Sequence, residues 1–294
     1  MVAFLAVEVR GPEPILPLAL FRNSIFSVSN AAALVIGAVL FAALIYIPLF
    51  IQGVIGSATN SGVVLIPLSL GWVATSVVSG QLISRTGRYR AFPIAGSLLL
   101  VAGFWLLTRM NTHTTGLTAT GDMLVIGLGL GLMYQTYVLA VQNAVPAREM
   151  GIATASIQFF RSIGATFAVA AFGSVLTTRL RTELTSHLGA AANTVNPQAL
   201  LQSPATVRRL PATLVDGVRA AFALSLHSVF DLCLPLAAVT VVTALLLKEL
   251  PLRTQTGIET HAEAGHPTEL EPGSPVSPPP KATNRGASPT QRSP

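Results

Sequence analysis

His227 and Asp231 stand four residues apart, so on a helix they share a face one turn apart. A carboxylate beside an imidazole can relay a proton, and local pairing between the two is the other role open to them. Two ligands fall short of the three or four that a metal site takes, so no metal is expected. Arg161 interrupts an apolar run, with Gln158 one turn before it. Such a guanidinium faces the protein interior or a wet cavity, in a conformational or coupling role, or it snorkels to lipid phosphates. Trp72 stands near Ser69, Thr75 and Ser76, while Gln135 and Gln142 share one helix face with Tyr134 adjacent. These residues suit either an aromatic, weakly polar cavity for flat apolar compounds or helix packing with an interhelical hydrogen bond of about 1 kcal/mol. Gly127-x-Gly129-x-Gly131 opens no strand–helix turn and reads as a packing feature rather than a nucleotide site. No Gly-x-Ser-x-Gly, Walker loop or His-Glu-x-x-His occurs, so neither an enzyme nor a cofactor is expected.

The elements that carry these residues follow from composition. Of 294 residues 51% are hydrophobic and 10% charged, against roughly 25% charged in soluble domains. Too little charge remains to cover a soluble surface, which excludes a cytosolic enzyme. The sole cysteine, Cys233, excludes a disulfide scaffold. The net charge of +6 is spread over short loops and a tail with no aromatic interleaving, so nucleic acid is not a partner. The chain reads as a polytopic helical membrane protein, with the lipid bilayer as its first partner.

A span needs about 20 apolar residues. No Asp, Glu, Lys or Arg occurs from residue 23 to residue 84, a stretch that fits two spans turning between Gly53 and Gly62. Six spans are expected: Val28–Ile51, Gly62–Ile83, Phe92–Thr108, Met123–Val145, Ala153–Thr178 and Ala220–Leu247. Pro48, Pro67 and Pro235 should kink three of them. Trp72 and Tyr134–Gln135 then fall at mid-depth, Arg161 about 10 Å below one surface, and Asp231 is the one acid well inside a span, with Asp122 at a boundary. With the N-terminus cytoplasmic, eleven Lys and Arg lie in inside segments and six outside, so both termini are expected in the cytoplasm. Residues 254–294 hold eight of the 20 prolines and few large apolar side chains, and read as a disordered tail. Residues 1–22 form a lead-in, in which Met1–Val7 looks like the end of a preceding helix; residues 23–253 form the six-helix domain.

Gly80-Gln-Leu-Ile-Ser-Arg-Thr-Gly-Arg-Tyr-Arg90 joins the second and third spans. Gly87 permits a tight turn, and Arg85, Arg88 and Arg90 can meet helix C-termini or anionic lipid. This loop resembles the signature of the major facilitator superfamily, Gly-x-x-x-Asp-x-x-Gly-Arg-Arg/Lys. Gly80, Gly87 and Arg88 match it, whereas Ser84 stands at the acidic position and Tyr89 at that of the second base. Pro14–Asn23, Gln142–Pro146, Gly151–Ala155, Phe160–Gly164, Leu226–Phe230 and Lys248–Arg253 extend the resemblance to the fourteen-helix drug:proton antiporters, the EmrB and QacA type, over residues 4 to 253. The resemblance implies an all-α fold of six transmembrane helices forming one half, the C-terminal half, of a major facilitator transporter in the plasma membrane. It implies export of small hydrophobic or cationic compounds in exchange for protons. A truncated or split half, needing a separate N-terminal half or a homo-oligomeric partner, is the alternative; a membrane-embedded enzyme is a distant third.

Overall fold

The computed structural model describes residues 18–55, 65–110, 114–202, 207 and 210–251. The chain divides into units 1–253 and 254–294, and every described residue belongs to the first. The expected tail, the remnant helix Met1–Val7 and most of the turn between Gly53 and Gly62 lie outside the described residues.

Six α-helices of 17 residues or more occur among the described residues: α1 (Ser24–Phe50), α2 (Leu65–Thr86), α3 (Ala91–Leu107), α4 (Gly116–Ala144), α5 (Met150–Leu188) and α6 (Ala212–Leu246). No strand occurs among these residues. Five are long and apolar enough to cross a membrane by length and composition. α3, at 17 residues, rises about 25 Å, the lower limit for a crossing. Asn23 starts α1 by accepting from the Ile25 N–H at 2.9 Å, and its amide donates to the Ala144 carbonyl at 3.0 Å, fixing α1 to the end of α4.

The helices differ from the expected spans chiefly in length. Helices α4, α5 and α6 run past the expected spans, to Gly116, Leu188 and Ala212. Charge marks where the apolar stretch stops, but a helix continues through the head-group region, where its polar side chains are solvated. For the same reason Asp122, at the expected boundary of the apolar stretch, lies inside α4 and is 6% exposed. Pro67 stands third in α2 as described, and residues 56–64 before it lie outside the described residues. Pro48 and Pro235 do lie inside α1 and α6, and Pro48 is followed by a π turn at Ile51–Ile55.

The core runs along α1 and α4, whose most apolar windows are 67% and 56% buried, against 22% for α2 and 28% for α5. α2 packs chiefly on α4, and α5 on α1 and α6. These two crossings are built alike, by backbone contact at glycines. A Cβ on Gly37 or Gly164 would strike the carbonyls of Arg161 or Leu34, and one on Gly127 or Gly131 those of Leu68 or Trp72. The Gly127-x-Gly129-x-Gly131 run is thus a packing surface. Across the α2–α4 crossing the Thr75 hydroxyl donates to the Leu128 carbonyl at 3.1 Å.

Candidate functional site

α2 and α5 flank one face of α4, and three helices converge there on Tyr134. The Trp72 ring of α2 meets Tyr134 edge-on, with centroids 6.0 Å apart. The Tyr134 hydroxyl donates to Gln158 Oε1 of α5 at 2.6 Å. One turn on, the Arg161 guanidinium lies over the same ring, 5.3 Å from its centroid. The glycine crossings set this geometry: Gly131 admits the Trp72 backbone and Gly37 admits that of Arg161. Arg161 is half-buried, its Nε atom is buried without a hydrogen-bond partner, and no carboxylate pairs with it among the described residues. Of the other polar residues on this face, Gln142 donates to Thr154 Oγ1 at 3.1 Å, a strut between α4 and α5. Gln135 instead lines an open groove of about 470 Å³ with Ser76, Gly80, Gln81, Ser84 and Arg85. The two glutamines, alike in sequence, therefore do different things. The arrangement gathers two aromatic rings, one amide and one cation where α2, α4 and α5 meet.

His227 and Asp231 do not come together. His227 Nε2 contacts the Met110 carbonyl beyond the end of α3, while Asp231 opens onto a groove between α5 and α6 with Arg179. Among the described residues no ion pair links the two, and each side chain meets a different neighbour. Arg179 escaped the sequence reading because it was set just beyond the end of a span. Only the length of α5 brings it inside a helix.

The family profile described as Major Facilitator Superfamily matches residues 4–169. The chain belongs to the major facilitator superfamily. It is 36% identical over 277 residues to the multidrug transporter protein MdtP of Bacillus subtilis, covering 86% of this chain and 51% of that protein. It is 28% identical over 263 residues to multidrug resistance protein 3 of the same organism, covering 86% and 51%. A tetracycline resistance determinant of Streptomyces rimosus matches at 34% over 181 residues, covering 60% of this chain and 51% of that protein. The chain spans about half the length of these curated relatives.

The major facilitator signature loop departs from its family pattern in a way the structure accounts for. Gly87 has φ +69° and makes the turn. Ser84, at the acidic position, returns its hydroxyl to the Gly80 carbonyl of its own helix at 2.8 Å. Arg85 and Arg88 are exposed. Tyr89, at the second basic position, is wholly buried against the segment that follows α6. Its hydroxyl donates to the Lys248 carbonyl at 2.8 Å and accepts from the Leu250 N–H at 2.9 Å. Its own N–H donates to Glu249 Oε1 at 3.2 Å, and Arg90 donates to the Leu245 carbonyl at 3.2 Å. Burial pushes the Tyr89 phenol above the ordinary tyrosine value; the Leu250 N–H opposes this and the Glu249 carboxylate reinforces it. A raised phenol keeps its proton below the ordinary tyrosine range, so this latch is intact at neutral pH and weakens only as alkaline pH ionises the group. Tyr89→Phe removes two hydrogen bonds of about 1 kcal/mol each. It is expected to hasten tryptic cleavage after Lys248 several-fold without preventing insertion, measured on purified chain; an unchanged cleavage rate would mean that other contacts hold the segment.

Proposed function

We propose that this chain forms one wall of the substrate cavity of an efflux transporter for small hydrophobic or cationic compounds, driven by proton exchange. The observation that carries the reading is the Trp72–Tyr134–Gln158–Arg161 cluster, gathered on the face between the two least buried helices. In inverted-repeat transporters substrate sites lie near the midplane between halves, and rocking of the halves gives alternating access. The relatives' names, a multidrug transporter and a tetracycline resistance determinant, point to the same substrate class. The reading is of a transporter and not an enzyme, in the plasma membrane with both termini cytoplasmic. Residues 1–22 lead into the six-helix unit, and residues 254–294 follow it.

A second reading has its own support. The sparsely packed faces of α2 and α5 fit an arrangement in which a separate half, or a second copy, completes the cavity. Cells expressing the chain are expected to accumulate less of a fluorescent hydrophobic cation, and a proton uncoupler should abolish the difference. Unchanged accumulation by a well-inserted chain alone, restored to efflux when an N-terminal half is co-expressed and co-purifies, would establish the split arrangement. No efflux in either setting would sink both readings.

A further inference from the structure

The groove between α5 and α6 holds two opposite charges that do not pair. Its volume is about 510 Å³, and its lining includes Ser174, Thr178 and Arg179 of α5 with Ser228, Asp231 and Leu232 of α6. Arg179 and Asp231 are both exposed to the groove side. The ion pairs among the described residues are Arg148 with Glu149 and His187 with Glu183, and neither groove residue takes part.

The depth of the groove follows from α6. His227 contacts the carbonyl of Met110, just past the end of α3 opposite the α2–α3 loop. Asp231 lies one turn, about 6 Å, further along α6 toward the centre of the bundle. The groove therefore lies within about one turn of the level at which α3 ends, on the side of the bundle where Arg179 stands just past the expected span Ala153–Thr178. Toward the other end of α6 the exposed side chains Leu232, Val239, Val242 and Leu246 follow at spacings of seven, three and four, an apolar stripe leading away from the charges. A charged mouth at the interface continued by an apolar track has the polarity of an amphiphile. Leaving a carboxylate and a guanidinium unpaired at the edge of the hydrocarbon is costly, and a ligand bearing both complementary charges removes that cost.

We propose that this groove binds the head group of a zwitterionic phospholipid, Arg179 taking the phosphate and Asp231 the ammonium. The hydroxyls of Ser174 and Thr178 supply further donors to phosphate oxygens. A primary ammonium donates hydrogen bonds to the Asp231 carboxylate, whereas a trimethylammonium has no N–H to donate. The site therefore selects ethanolamine over choline head groups, and both over glycerol, which carries no cation.

The test uses the purified full chain in detergent with phosphatidylethanolamine, phosphatidylcholine and phosphatidylglycerol of matched acyl chains, lipid retention being read by native mass spectrometry. Retention of the ethanolamine lipid over the choline lipid is expected at about tenfold, the effect of one charge-assisted hydrogen bond. Asp231→Asn is expected to erase that preference while retaining phosphate binding, and Arg179→Gln to lower retention of all three lipids. Equal retention of the three by the unaltered chain, which needs no variant to fold, overturns the proposal. So does an ethanolamine preference that survives Asp231→Asn. Glycerophosphoethanolamine, the soluble head group, should not displace the lipid at matched concentration; full displacement would assign the groove to a free zwitterion instead.

Discussion

Gly164→Leu is expected to abolish recovery of folded chain, whereas Gly121→Ala leaves yield and thermal midpoint unchanged or slightly raised. At Gly164 an added Cβ meets the backbone carbonyl of Leu34, and at Gly37 that of Arg161, so the α1–α5 crossing is closed from both sides. A backbone carbonyl in mid-helix cannot rotate away as a side chain would. Relief requires the two helices to separate along their whole contact, which includes the buried Ala165, Ala168 and Phe172 of α5. Overpacking of an ordinary core costs about 1–3 kcal/mol; the loss here is expected to exceed that range, against a total stability of about 5–15 kcal/mol. Nothing lies within 4 Å of a Cβ added at Gly121, and alanine in a helix interior is favoured over glycine by about 1 kcal/mol. The check is the fraction of monodisperse chain in detergent with its thermal unfolding. Equal recovery of the two variants would show that the α1–α5 contact is not what holds the bundle together.

The part of this fold legible in the sequence is the part set by hydrophobicity over long windows. The absence of charge from residue 23 to residue 84 demanded two crossings, and α1 and α2 occupy that stretch. Helix ends were less legible because hydropathy reports the apolar slab, not hydrogen bonding, and α5 runs through Arg179, Arg181 and Glu183 to Leu188. The likeness of the two glycine crossings was not legible in the sequence, because close backbone approach depends on which helices meet. It emerges only in contact: α1 meets α5 as α2 meets α4, each at a pair of glycines. Within the site, Trp72, Tyr134 and Arg161 could be singled out as chemically unusual for their depth. Their partners could not, because sequence spacing makes Gln158 a neighbour of Arg161, whereas its side chain bonds Tyr134 on another helix. Tyr89 illustrates the same limit. As a departure from the superfamily pattern it looked like a lost charge, and its role as the buried anchor for residues 248–250 exists only once α3 and α6 are side by side.

Arg161→Ala is expected to lower efflux about tenfold or more while leaving insertion and thermal midpoint intact. The residue makes no ion pair among the described residues, and its Nε is buried without a partner. Holding it in the bundle is therefore a cost to stability, up to about 2.5–3.5 kcal/mol for arginine at the centre of a span. A residue retained for stability alone would show the opposite balance. What it does make is the contact with the Tyr134 ring at 5.3 Å, worth about 0.5–2 kcal/mol. Tyr134 in turn bonds Gln158 and abuts Trp72, so the guanidinium fixes the ring on which α2, α4 and α5 meet. Lysine keeps the charge but cannot lie flat on an aromatic face, so Arg161→Lys is expected to restore little of the efflux. A Trp105→Phe background leaves Trp72 as the sole tryptophan, and its emission should shift in Arg161→Ala as Tyr134 is released. Normal efflux with an unshifted Trp72 spectrum would remove Arg161 from the mechanism. Loss of efflux together with loss of the folded chain would make the residue a packing element, and the unpaired charge would then need another explanation.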